Sequence, residues 1–382
     1  MESPTVQKIK IQNGQIKSIQ SKNSLKSPKN LLKDIFLPTG YPDSVSNDYL
    51  TYQIYDTLQA LCSSLSGSLA TFAVLKTVGV GNNQANLLSS TLSWLLKDGS
   101  GMISSILFTY FNSNYLDIHS KQWRLVADIF NDIAILIDIL SKSPFILCFS
   151  SIFRSIVGVA GGATRMQITL HQASKRNGEN IGDINAKDGA QETFVNLLGL
   201  ILNLFLVPKI TSNDFLMYSV FTILTILHIY FNFKAVKSVK SKVLNVYRLN
   251  FILENKIFDV NTVNEQEPIF TCLWPYYTQR NKIFRIKFCS SLSKFNRARR
   301  EDLKLIQQHQ NYLITSHHKN GQILVNFKNK FEINSEIILK IVLNICLGYK
   351  NEKVEEYYEK LIENGWDVTK HMFYVGQTRI DF

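Results

Sequence analysis

SIFRSIVGVAGGATRMQITLHQASKRNGENIGDINAKDGAQETFVNLLGLILNLFLVP, residues 151–208, is the stretch whose reading decides the fold. It opens as an apolar segment carrying Arg154, passes Gly158, Gly161 and Gly162, and reaches Thr164 and Arg165. A polar loop follows, then Lys187, Asp188, Gly189 and Glu192, after which no charge occurs from Thr193 to Val207. Glycines and charges inside otherwise apolar helices suit a bundle in lipid. There small residues let helices touch, and ionisable groups persist only beside a partner or a pathway. Gly158 to Gly162 is a small-xxx-small spacing, so Gly158, Gly161 and Gly162 are the expected helix contacts. The same glycines argue against a dinucleotide fold, because G-x-x-G-G is the wrong order and nothing strand-like precedes it.

Outward from this stretch, apolar segments crowd into residues 54–233, while both flanks are polar and basic. That division explains a mean hydropathy of only −0.02 in a chain of 382 residues that is 45% hydrophobic. The formal net charge is +12. The first 36 residues hold seven lysines against Glu2 and Asp34, and residues 234–300 hold 14 Lys and Arg against four acids. Nucleic acid, anionic lipid and the positive-inside bias each draw such charge. The last is favoured because the basic residues begin where the last long apolar segment ends. A lipid membrane is then the expected partner, with no nucleic acid, both termini cytosolic and an even number of spans. Cys62, Cys148, Cys272, Cys289 and Cys346 form no CxxC, which suits a reducing compartment. The first 34 residues contain no apolar core of a secretory signal.

The expected fold is mainly α: a polytopic membrane bundle of about six helices with a small C-terminal α+β cytosolic domain. Residues 1–34 read as a polar, basic segment, either a hairpin around Asn13-Gly14 or disordered. Residues 35–235 form the bundle, 236–290 a basic linker and 291–382 the α+β domain, with a hairpin at Asn320-Gly321 and His317 and His318 at the surface. Residues 215–233 carry no formal charge and are the best single span, with His228 a buried, satisfied imidazole. In LKDGSGM, Lys97, Asp98 and Gly99 fall near the middle of a span, as a solvated loop between short helices or a polar break facing the interior. KDG recurs 90 positions later at Lys187, Asp188 and Gly189, which suggests a three-plus-three repeat. In KQWRLVADIFNDIAILIDIL, Lys121, Arg124, Asp128, Asn131 and Asp132 make one polar stripe, opposite Leu125, Ile129, Ile133, Leu136 and Leu140. That stripe reads as a solvated face or as the lining of a polar cavity.

The runs LPTGYPDSVSNDYLTYQIYDTLQALCSSLSGSLATFAVLKTVGVG, WLLKDGSGM, KQWRLVADIFND, VGVAGGATR and INAKDGAQETFVNLLG resemble the root UVB-sensitive (RUS) family over residues 36–208. GWDV around Trp366 is similar to the family's tail. The resemblance implies a eukaryotic, membrane-associated protein, with plant members linked to root ultraviolet-B responses, seedling development, auxin transport and vitamin B6 homeostasis. It also implies a homo- or hetero-oligomer with a paralogue, and supplies no established enzymatic activity. Plant members can be plastid-directed; the Lys-rich, Arg-free N-terminus here gives no such address.

Two functions fit. In one, Lys97, Asp98, Gly99, Arg124, Asp128, Asp132, Arg165, Lys187, Asp188, Gly189 and Glu192 converge around a small polar solute, bound or transported. In the other, a closed bundle with every charge paired serves as a membrane-associated scaffold. An enzymatic reading rests only on a Schiff-base lysine such as Lys97 or Lys187. No catalytic constellation, metal site or cofactor is expected.

Overall fold

The computed structural model describes residues 6–12, 15–22, 28–79, 87–270, 282–289, 303–317, 322–376 and 380. Strands β1 (Val6–Gln12) and β2 (Gln15–Lys22) pair antiparallel, in keeping with the expected hairpin; Asn13 and Gly14 lie outside the described residues. Helix α1 (Pro28–Phe36) follows, unanticipated by the sequence reading. Then come α2 (Tyr49–Thr77), α3 (Leu87–Ile118), α4 (Ser120–Leu140), α5 (Pro144–Gln172), α6 (Ile181–Ile210) and α7 (Asp214–Ser238). Four stretches are long and apolar enough to cross a membrane: Tyr49–Thr77, Phe145–Arg176, Ile181–Ile210 and Asp214–Ser238, with mean hydropathy 1.4, 1.7, 1.8 and 1.5. Only 17% to 39% of the residues in those windows are buried, and Leu204, Phe205, Phe215 and Ile226 stand among the exposed side chains.

The helices run up and down. At one end Ser46 N donates to the Gln172 carbonyl (2.9 Å) and Lys240 N to Asp48 (2.5 Å). At the other, Thr77 Oγ1 donates to the Ser141 carbonyl (2.9 Å), and Ala73, Ile139, Ile210 and Met217 share a cluster. The chain therefore enters and leaves the bundle at the same end.

Beyond α7 lie β3 (Val243–Asn245), α8 (Val246–Asn255), α9 (Val260–Gln266), β4 (Ile286–Phe288), β5 (Leu303–Gln308), β6 (Tyr312–His317), β7 (Gln322–Phe327), α10 (Ser335–Cys346), α11 (Asn351–Glu363) and β8 (Asp367–Met372). One sheet has the order β4-β7-β6-β5, and β3 pairs parallel with β8. The expected hairpin is present as β6–β7; Asn320-Gly321, His318 and Cys272 lie outside the described residues. The expected linker at 236–290 is corrected. Leu244, Leu249, Ile252, Val263, Ile283 and Phe288 belong to the same core as Ile314, Val325, Leu339 and Leu361, because burying them completes a sheet-and-helix core that 291–382 alone leaves open.

Two polar knots hold this domain on the bundle. Buried Glu267 receives Lys121 Nζ from α4 (2.9 Å), Arg248 Nη2 (2.9 Å) and Asn245 Nδ2 (2.7 Å). Burial alone would raise the Glu267 carboxyl; Arg248 and Lys121 instead hold it well below the usual carboxylate range. Asp48, preceding α2, accepts from Ser46, from His171 on α5 (2.8 Å) and from the Lys240 amide. Burial would raise Asp48 too, but His171 above all, then the amide and hydroxyl, bring it down to about 2.

The glycines act elsewhere than expected. A Cβ at Gly158 or Gly162 would meet nothing within 4 Å, and at Gly161 only Arg124 Nη1 at 3.9 Å. The close approaches within the bundle are at Gly101 and Gly199, where an added Cβ would lie 2.6 Å from Ser151 Oγ and 2.5 Å from Ser64 Oγ. The spaced pair Gly158 and Gly162 faces open space, so the small-xxx-small spacing makes no helix contact there, and Gly161 meets only the Arg124 side chain of α4.

Gly199→Val should lower stability by about 1–3 kcal/mol through overpacking against α2, whereas Gly99→Ala, with open space around it, should cost nothing; thermal melts of the detergent-solubilised protein decide. Because the folded Asp48 titrates below the ordinary ~3.9, its contribution is complete above that value and is lost as pH falls through about 2. Acid melts should show that loss in the unsubstituted protein and a smaller one in Asp48→Asn.

Candidate functional site

Asp56 is the one charged residue between Asp48 and Lys76, on a helix whose other residues are largely apolar. Tyr52, Asp56, Gln59 and Ser63 follow each other at spacings of four, three and four, so they share a face of α2. Arg124, Asp128, Asn131 and Asp132 do the same on α4. The two faces meet. Arg124 Nη2 lies 3.0 Å from Asp56 Oδ1, with Tyr52 and Gln59 donating to the same oxygen at 3.3 Å, and Asn131 donates to Ser63 (3.1 Å). The stripe on α4 is thus turned inward: Lys121 is 2% exposed and Asp132 5%. A solvated face is ruled out.

From α7, His228 places Nδ1 2.9 Å from Asp132 and Nε2 2.8 Å from Gln59 Oε1. The amide nitrogen of Gln59 is committed to Asp56, which fixes its oxygen toward His228 and makes Nε2 a donor. With the Asp132 carboxylate on the other nitrogen, both ring nitrogens donate, the pattern of an imidazolium. On the adjoining side, Arg165 of α5 donates Nε to Asp188 (2.5 Å) and Nη1 to Glu192 (2.6 Å), both on α6.

The structure therefore brings together Arg124, Asp128, Asp132, Arg165, Asp188 and Glu192. Lys97, Asp98 and Gly99 lie apart, inside an unbroken α3, which corrects both the loop and the polar-break expectation. Ser100 bonds the Cys148 carbonyl in the first turns of α5, so Lys97 and Asp98 sit toward a bundle end, not mid-span. Lys97 lies 4.8 Å from the Trp94 ring and Asp98 is exposed. Lys187 instead reaches the Asp34 carbonyl, and Gly189 faces open space. The two KDG triplets thus occupy different settings. Asp56 and Gln59 were missed, although a lone carboxylate in an apolar helix is itself a signal.

Not every polar atom is met. Asp128 Oδ2, Arg124 Nε and both side-chain atoms of Asn232, one turn from His228, are buried with no partner among the described residues. The interior part of the cluster sets four carboxylates (Asp56, Asp128, Asp132, Asp188) against three cations (Arg124, Arg165, His228), with Glu192, 47% exposed, at its rim. Among the described residues, no group of three or more His, Cys, Asp or Glu is placed to hold a metal ion.

Charges turned inward beneath exposed apolar outer faces, with four helices long and apolar enough to cross a membrane, make this a mainly helical bundle with a polar interior. The chain belongs to the RUS family: a family profile described as a vitamin B6 photo-protection and homoeostasis domain matches residues 22–259, from the end of β2 to just beyond α8. RUS family member 1 of Dictyostelium discoideum is 42% identical over 242 residues, 61% of this chain and 45% of that protein. Protein root UVB sensitive 3 of Arabidopsis thaliana is 40% identical over 227 residues, 58% of this chain and 51% of that protein. The chain spans about half the length of these relatives. Protein root UVB sensitive 6 of Arabidopsis thaliana is 23% identical over 348 residues, 86% of this chain and 67% of that protein. No solved structure matches.

Arg124→Met should destabilise by about 3–5 kcal/mol, since it strands a buried carboxylate, and Arg124→Met with Asp56→Asn should recover part of that loss. A double-mutant cycle by thermal or denaturant unfolding in detergent measures the coupling.

Proposed function

We propose that this protein is a polytopic membrane protein with both flanks on the cytosolic face, and that its interior binds a small polar solute. The observation that carries the reading is Asp128. Its buried Oδ2 lacks a donor, in a cluster already holding more carboxylates than cations, so the interior asks for a hydrogen-bond donor or positive charge. Supporting the membrane reading are the four apolar helices, their exposed apolar faces and the basic flanks emerging at one end. The vitamin B6 link of the family description makes a cationic vitamer a reasonable first solute.

A scaffold without transport is favoured by a different observation: Arg124, Arg165 and His228 each already have an acidic partner. In that case ordered waters fill the unmet positions.

Alkaline carbonate should leave the protein in the membrane pellet, and tags at the two flanks should be digested from the cytosolic side together; release by carbonate overturns the membrane reading. Labelled pyridoxamine should bind saturably to the nanodisc-embedded protein and lose about tenfold or more in affinity in Asp128→Asn. Absence of saturable binding leaves the scaffold reading standing.

A further inference from the structure

Between the bundle and the C-terminal domain lies a cavity of about 300 Å³, separate from the interior cluster. Its floor carries Lys121, Arg248 and Gln122; its walls carry Lys175 from the turn after α5, Lys242 leading into β3 and Lys370 on β8. The parallel pairing of β3 with β8 joins two of these elements, with Asp367 N donating to the Lys242 carbonyl (3.0 Å).

The acids lining this space are already engaged. Glu267 is held by Lys121 and Arg248, Asp117 accepts from Gln167 (2.8 Å), and Asp367 accepts from Thr369 (2.5 Å). Lys175, Lys242 and Lys370 have no carboxylate partner among the described residues and are exposed. Five cations therefore face three acids, an excess of two positive charges, and the three lysines without a carboxylate partner come from three separate segments.

We infer that this junction cavity binds a phosphomonoester, with Lys175, Lys242 and Lys370 on the phosphoryl oxygens. A phosphomonoester fits the unspent charge better than a carboxylate, because it brings a charge near −2 and three strong acceptor oxygens for three mobile ammonium groups. The volume suits a small molecule or a single headgroup. The position, at the bundle end where both flanks emerge, leaves two sources for the same chemistry: a soluble phosphate ester or the headgroup of phosphatidate.

The full chain in phosphatidylcholine nanodiscs is titrated with inorganic phosphate at constant ionic strength while its melting temperature is read. Nanodiscs with and without phosphatidate are compared in parallel. A saturable rise with phosphate, weakened about tenfold or more in Lys175→Ala/Lys242→Ala/Lys370→Ala, kept in the Lys→Arg triple and kept in Lys209→Ala/Lys353→Ala, supports a soluble ligand. A rise produced only by phosphatidate, with the same variant pattern, supports a lipid headgroup. No rise with either, or an alanine triple that titrates like the unsubstituted protein, overturns the proposal. The three lysines are exposed, so their loss leaves the fold in place, and the arginine triple separates charge from packing.

Discussion

Arg124 and Asp56 impose the constraint from which the rest of the bundle follows. A guanidinium taken out of water into a packed helical interior is tolerable only with an anion beside it and its remaining donors directed. Meeting Asp56 at 3.0 Å fixes how α4 lies along α2. Asp56 also takes the amide of Gln59, which orients that side chain toward His228, and His228 in turn reaches back to Asp132 on α4. One carboxylate thus sets the mutual register of three helices through a chain of directional bonds. Arg165 with Asp188 does the same for α5 and α6. Dispersion forces between apolar helices allow sliding; these bonds do not.

Glu267 repeats the logic outside the bundle. Fully buried, it is stable as an anion only because Lys121 comes from the bundle and Arg248 from the domain. The domain cannot lift away without leaving three buried charges unmatched. Domain and bundle are therefore one electrostatic unit, although their apolar cores are distinct.

The helix pattern was readable because charge-free runs such as residues 193–207 and 215–233 allow little else. The inward stripe on α4 was readable only as a stripe. Spacing gives a face, but whether that face meets water or Asp56 depends on what packs against it. Asp56 escaped attention because one acid among apolar residues forms no pattern of its own. Lys97 and Asp98 misled because a Lys-Asp-Gly triplet looks like a break, yet glycine within a long helix costs only about 1 kcal/mol, which neighbouring turns absorb. The glycines of α5 misled for the opposite reason: spacing shows which glycines share a face, but not that another helix lies against it. Residues 236–290 looked like a linker because their basic residues far outnumber their acids, while the apolar residues scattered among them, Leu244, Leu249, Ile252 and Val263 included, are fully buried.

The parallel pairing of β3 with β8 has a consequence for how the molecule is made. β3 leaves the ribosome directly after α7, but its partner strand is synthesised more than a hundred residues later. Until then the apolar side of β3 and the buried face of α8 have nothing to close on, and Trp366, whose indole bonds the Phe258 carbonyl, is not yet present to cap the adjoining loop (2.6 Å). The helices can be threaded and packed throughout this interval while the domain waits open beside them. Completion of the fold is thus a late event in synthesis, and a chain stopped short of residue 367 would keep a formed bundle beneath an unfinished cap.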